Sequence, residues 1–91
     1  MGSLSLELFL PECRSLKSKR RIVKSIQDKI RHRFNASVAE VGHQNLWQRT
    51  VLGFACAGSN RKVVEKTLSK IIESVEEMGN GVVIDIQMEI L

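Results

Sequence analysis

The stretch VGHQNLWQR, residues 41–49, gathers the chain's only tryptophan, one of its two histidines, three side-chain amides and an arginine into nine positions. These residue types share one use. A tryptophan ring stacks on an unstacked base, amides bond base edges, and cations hold phosphates, which together are the parts of RNA recognition. A second concentration of chemistry precedes it. From Arg14 to Arg33 there are nine basic residues, Arg14, Lys17, Lys19, Arg20, Arg21, Lys24, Lys29, Arg31 and Arg33, and Asp28 is the only acid. That segment carries +8, while the rest of the chain carries −4 and the whole +4. One basic element on an otherwise mildly acidic protein points to an anionic partner for one face.

Other chemistries find less support. Two widely separated cysteines and two histidines do not supply the four spaced ligands of a zinc site. Two cysteines are no disulfide framework, so both are expected reduced, with Cys56 a small core hydrophobe. Cys13 precedes a helix start, where a thiol pKa can fall, and His43 belongs at the same end of the protein, so a Cys–His dyad is conceivable. No third group is evident to orient the histidine, and no strained nucleophile turn appears. A non-enzyme without metal or cofactor is the expectation. No apolar run approaches the roughly 18 residues of a membrane span. The opening LSLELFL is short and contains Glu7, unlike a signal peptide. Met-Gly at the start lacks the Ser or Thr at position 6 of a myristoylation signal. NAS at 35–37 matches a glycosylation acceptor with nothing else in its favour, so a cytoplasmic location without membrane contact is expected.

The elements that must position these residues follow from periodicity. Leu4, Leu6, Leu8 and Leu10 alternate with Ser3, Ser5, Glu7 and Phe9, which predicts a strand with one buried face, stopped by Pro11. Ser15 is a helix N-cap. Behind it Leu16, Ile22, Val23, Ile26, Ile30 and Phe34 recur at helical spacing, with Lys17, Arg20, Lys24 and Arg31 opposite, and Asn35 is expected to close the helix in the left-handed conformation. SVAEVG and RTVLGFACA predict a hairpin with strands near 37–42 and 49–57. GSN at 58–60 breaks and caps. Val64, Leu68, Ile71, Ile72, Val75 and Met78 mark a second helix ended by Gly79. Ile84, Ile86, Met88 and Ile90 alternate with Asp85, Gln87 and Glu89 in a last strand.

Strand, helix, strand, strand, helix, strand with short connections predicts one α+β domain over residues 1–91. Its architecture is ferredoxin-like βαββαβ, with two helices on one face of a four-stranded antiparallel sheet of order 4-1-3-2. In that topology the start of the first helix, the hairpin loop 43–48 and the GNG turn share one end. A helix N-terminus offers unpaired N–H groups and partial positive charge to an anion. Lys17, Lys19, Arg20, Arg21 and Lys24 are therefore expected to hold phosphates. Lys19 lies on the apolar side of the helix but near its start, where it can reach toward the loop. His43, Gln44, Trp47, Gln48 and Arg49 are expected to read or stack against a nucleotide. Each residue also has a plainer role. A basic helix face is often only solvated, Trp47 serves equally as a plug at one end of the core, and the amides can bond the loop's own backbone. Sheet-face binding of the RNA-recognition-motif kind is not expected, because the third strand offers only Phe54 and the first only Phe9.

SLKSKRRIVKSI, FNASVAEVGHQNLWQRTVLG and the ending DIQMEIL resemble the bacterial YlxP-like family, a domain of unknown function. The resemblance runs along essentially the whole chain: Ser15, Leu16, Lys17, Lys19, Arg20 and Arg21; Phe34, Asn35, Ser37, Ala39 and Glu40; and Gly42 to Arg49, where Asn45 stands at a position that can carry Asp. It implies the ferredoxin-like fold and no established catalytic activity. Its genes often lie near those for translation initiation and ribosome maturation, which by association implies an RNA or ribosome partner. The reading is then a small non-enzymatic binding module that contacts RNA or the ribosome through the basic helix and the hairpin. Six neutralised phosphates would make affinity fall about a thousandfold between low and moderate salt. The alternative is a homodimeric protein-interaction domain that uses the open sheet face around Phe9 and has no nucleic-acid role.

Overall fold

A computed structural model describes residues 1–91. Its elements are β1 (Gly2–Phe9), α1 (Leu16–Arg33), β2 (Ala36–Gly42), β3 (Arg49–Cys56), α2 (Arg61–Glu77) and β4 (Val82–Ile90). The four strands form one antiparallel sheet of order β2-β3-β1-β4. This is the expected ferredoxin-like α+β arrangement, with α1 packed on the β2 side and α2 on β1 and β4.

The alternation in β1 sets the core. Leu4, Leu6, Leu8 and Leu10 are all 2% exposed or less, and β1 is flanked on both sides by other strands. Register carries their face across the sheet: Leu4 opposes Phe54, Leu6 opposes Leu52, and Leu8 opposes Thr50. Val23, Ile26 and Ile30 of α1 and Val64, Leu68, Ile71 and Val75 of α2 cover it. Each such burial contributes on the order of 1.5–3 kcal/mol of apolar transfer.

The helix ends explain where the loops begin. The Ser15 side chain accepts from the Ser18 N–H at 3.1 Å, and Asn60 does the same for Val63 at 3.0 Å, so both N-caps satisfy an otherwise orphan donor. Gly79, at φ 68°, takes the left-handed position just beyond α2. Asn35 does not play that part for α1. Phe34 leaves the helix in extended conformation at φ −129°, and the chain enters β2 two residues later. A left-handed cap would redirect the backbone, whereas Phe34 has to pack against the core and feed directly into a strand.

Two register shifts shape the site and the sheet margin. One lies in β2 between Glu40 and Gly42, just before the hairpin loop, and the other in β4 opposite Glu7 and Leu8. The last strand forms as its alternation predicts, but Ile84, Ile86 and Met88 are 45%, 48% and 40% exposed. The helices leave this margin of the sheet uncovered.

Candidate nucleic-acid interface

The β1–α1 connection and the hairpin loop are stitched together. The Leu10 N–H donates to the Gln48 carbonyl at 2.7 Å, and the Gln48 side-chain amide donates to the Pro11 carbonyl at 3.2 Å. The GNG turn lies at the same end, since Val82 pairs with Phe9. The topology therefore brings together the start of α1 and residues 43–48.

Lys19 is the deepest link between them, and its role differs from the expected one. It continues the stripe of Val23, Ile26 and Ile30 and is 1% exposed. A buried ammonium costs several kcal/mol unless it is paired and hydrogen-bonded. Here its Nζ lies 2.9 Å from Glu40 Oε2 and donates to the His43 carbonyl. Glu40 faces inward because it opposes Leu52, and its carboxylate also accepts from the Thr50 hydroxyl at 2.6 Å. One buried network thus ties α1, β2, β3 and the loop, and no buried side-chain donor or acceptor is left without a partner. Lys19 does reach toward the loop, but it is enclosed and committed to Glu40, so it is not available to hold a phosphate.

His43 has φ 54°, the one non-glycine residue in the left-handed region. That conformation turns its carbonyl toward Lys19 and lets it accept from the Leu46 N–H at 3.1 Å. Strain of order 1–3 kcal/mol at such a residue is held by these contacts. The imidazole Nε2 lies 3.4 Å from Glu7 Oε2, and Arg49 Nη1 lies 3.3 Å from the same oxygen. Glu7 sits on the open side of β1 and offsets part of the hairpin's positive charge. The Gln44 side chain donates to the Glu40 carbonyl at 3.1 Å. The amide donors of Gln44 and Gln48 thus bond the protein's own backbone, while their side chains remain exposed.

Trp47 is 55% exposed and its neighbour Leu46 46%, so the ring is no plug of the core. On α1, Lys17, Arg20, Arg21 and Lys24 are all exposed, and none has a carboxylate partner. Their spacing of i, i+3, i+4 and i+7 sets them on one face along about 10 Å of helix axis. The first turn of α1 contains no acid, although acids there would favour the helix macrodipole and cations oppose it.

Along residues 1–88 the chain matches the family described as "Protein of unknown function (DUF503)". It belongs to that family. A relative described as "Uncharacterized protein YlxP", from Bacillus subtilis (strain 168), is 34% identical over 76 residues, spanning 84% of this chain and 83% of the relative. Neither description assigns an activity to the family.

Sequence reasoning missed Glu7 and Glu40, the two acids that organise the site. Only register reveals them: Phe9 opposite Arg49 brings Glu7 near that arginine, and Leu52 opposite Glu40 turns Glu40 inward. No group of three or more His, Cys, Asp or Glu residues is placed to hold a metal ion. No helix is long and apolar enough to cross a membrane. Cys13 is buried, and burial pushes its thiol above the ordinary value, with Lys19 pulling it down less and Glu12 raising it. A thiol shifted in that direction is a poor nucleophile at neutral pH.

Proposed function

We propose that this chain is a non-enzymatic module that binds structured RNA, bare or in the ribosome. Lys17, Arg20, Arg21 and Lys24 hold the phosphate backbone, and the exposed face of Trp47 stacks on an unpaired base. His43 and Arg49 lie against Glu7 on the open side of the sheet, away from the face that carries α1. They add hydrogen-bond donors and the Arg49 charge at this end of the protein rather than on the helix stripe itself. The observation that carries the reading is the stripe of four exposed, unpaired cations along the first half of α1, on an end of the protein that also exposes its tryptophan. Lys17 with Arg21 and Arg20 with Lys24 are like-charge i,i+4 pairs that no ion pair offsets, so the arrangement costs the helix stability. A local conflict with stability is where a functional surface is expected.

The test is binding of ribosomal RNA fragments across a salt series. Four phosphate contacts give a slope of log K on log salt of about −3, or a loss near a hundredfold between 50 and 200 mM salt. Lys19, being enclosed, contributes no contact to that figure. Arg20→Glu together with Arg21→Glu should lower the magnitude of the slope by about two and abolish measurable binding at moderate salt. Salt-independent binding, or affinity unchanged in the double variant, would overturn the proposal.

A further inference from the structure

The two edges of the sheet are treated differently. At the β2 edge, Arg31 donates to the Val38 carbonyl at 2.8 Å and Gln44 donates to the Glu40 carbonyl, and the register shift before Gly42 bends the strand. Capped carbonyls and a bulge are devices that stop another chain from pairing with an edge. β4 has none over its last two-thirds. No side chain bonds any of its backbone groups.

The ladder shows which groups are free. Leu91 and Met1 exchange backbone bonds, at 2.8 Å from the Leu91 N–H and 3.3 Å from the Met1 amino group. Antiparallel pairs alternate, so Glu89, Gln87 and Asp85 point their N–H and C=O groups at β1. Ile86 and Met88 then point theirs outward, with no protein partner. Their side chains lie on the helix side of the sheet, because they oppose Leu6 and Leu4. Along α2, Ile72 is only partly buried and lies about 160° around the helix from Ser74. Ser74 lines the cleft against α1, so Ile72 belongs on the β4 flank. The bare edge is therefore apolar as well as unpaired.

We propose that this edge pairs with the same edge of a second copy of the chain, antiparallel about a two-fold axis at Ile86, to make one continuous eight-stranded sheet. Self-complementarity favours a second copy over an unrelated strand. Ile86 is the midpoint of Val82–Ile90, so this axis centres the paired stretch on Asp85–Gln87 and leaves the register shift near Ile84 toward its two ends. It sets Asp85 against the partner's Gln87 on both sides of the axis, and no acid faces an acid. Moving the axis to Gln87 would oppose Asp85 to the partner's Glu89, a like-charge pair that destabilises a ladder. A shift of half that size would set apolar against polar side chains. The half-exposed Ile86 and Met88 fill the groove between the two α2 helices. The open sheet face suits self-pairing less well, since Glu7, Asp85 and Glu89 share it. The basic stripe of α1 lies toward the opposite edge and stays free, so this inference does not depend on RNA binding.

The test is the mass of the full chain by light scattering and sedimentation equilibrium, from micromolar to near-millimolar concentration. The expected result is twice the 10.3 kDa of one chain. Ile86→Lys, which puts two like charges at the axis, should raise the dimer dissociation constant at least about tenfold. Met88→Pro should do the same, because it removes an outward N–H and no bond to β1. Circular dichroism should show both variants folded. Monomer mass at every concentration would overturn the inference. So would a dimer that survives both substitutions, or one broken instead by Val41→Glu on the open face.

Discussion

Removing the carboxylate of Glu40 should damage the protein more than removing the ammonium of Lys19. With Glu40→Ala, Lys19 remains 1% exposed and keeps only the His43 carbonyl. An uncompensated buried charge of this kind costs about 3–5 kcal/mol. Glu40 is itself 19% exposed, so water can enter its space, and the lower end of that range, about 3 kcal/mol, applies. In a domain of this size 1 kcal/mol moves the melting temperature by roughly 4–8 °C, so the drop should be about 12–24 °C. Lys19→Met removes the charge and keeps the packing. Glu40 then retains Thr50 and partial access to water, and the cost should be near 1 kcal/mol. The double variant should melt well above Glu40→Ala alone, because no unpaired cation is left. Urea titration and thermal melts of the four proteins check this. The reasoning fails if Lys19→Met is the more damaging substitution, or if the double variant simply sums the two losses.

Trp47→Ala should lower stability by less than about 1 kcal/mol, whereas Leu6→Ala, at a fully buried position, should lower it by about 3 kcal/mol; matched melts decide. A large loss at Trp47 would return the ring to the core. Cys13 should alkylate far more slowly than a free thiol at pH 8 in the folded protein and at the normal rate in denaturant. Because its folded pKa is raised, Cys13 contributes stability at neutral pH. That contribution is lost as pH rises from the ordinary thiol value through the folded one, since the unfolded chain ionises first.

The sequence makes the elements legible because period-two and helical spacing are properties of single segments. Once β1, α1 and the hairpin are ordered, the topology alone puts Pro11, Ser15 and residues 43–48 at one end. Lys19 was harder to read. Its place on the apolar side is visible in the helical spacing, but its enclosure depends on Glu40 facing inward, which only the pairing with Leu52 decides. Glu7 is likewise invisible as a partner of Arg49 until register brings Phe9 opposite it. The exposure of Ile84, Ile86 and Met88 has the same origin. An alternating strand has one pattern whether or not a helix covers it, and coverage depends on where α2 lands. Asn35 misled because left-handed caps suit a turn, while α1 runs straight into β2.

The most direct test of the RNA proposal uses the one tryptophan as its reporter. The protein is titrated with ribosomal subunits and with total RNA at low and moderate salt, following Trp47 fluorescence and co-sedimentation. The predicted result is a saturable, salt-sensitive fluorescence change with one of the two ligands, lost in the Arg20→Glu, Arg21→Glu double variant. Unchanged fluorescence together with no co-sedimentation at low salt would contradict the account.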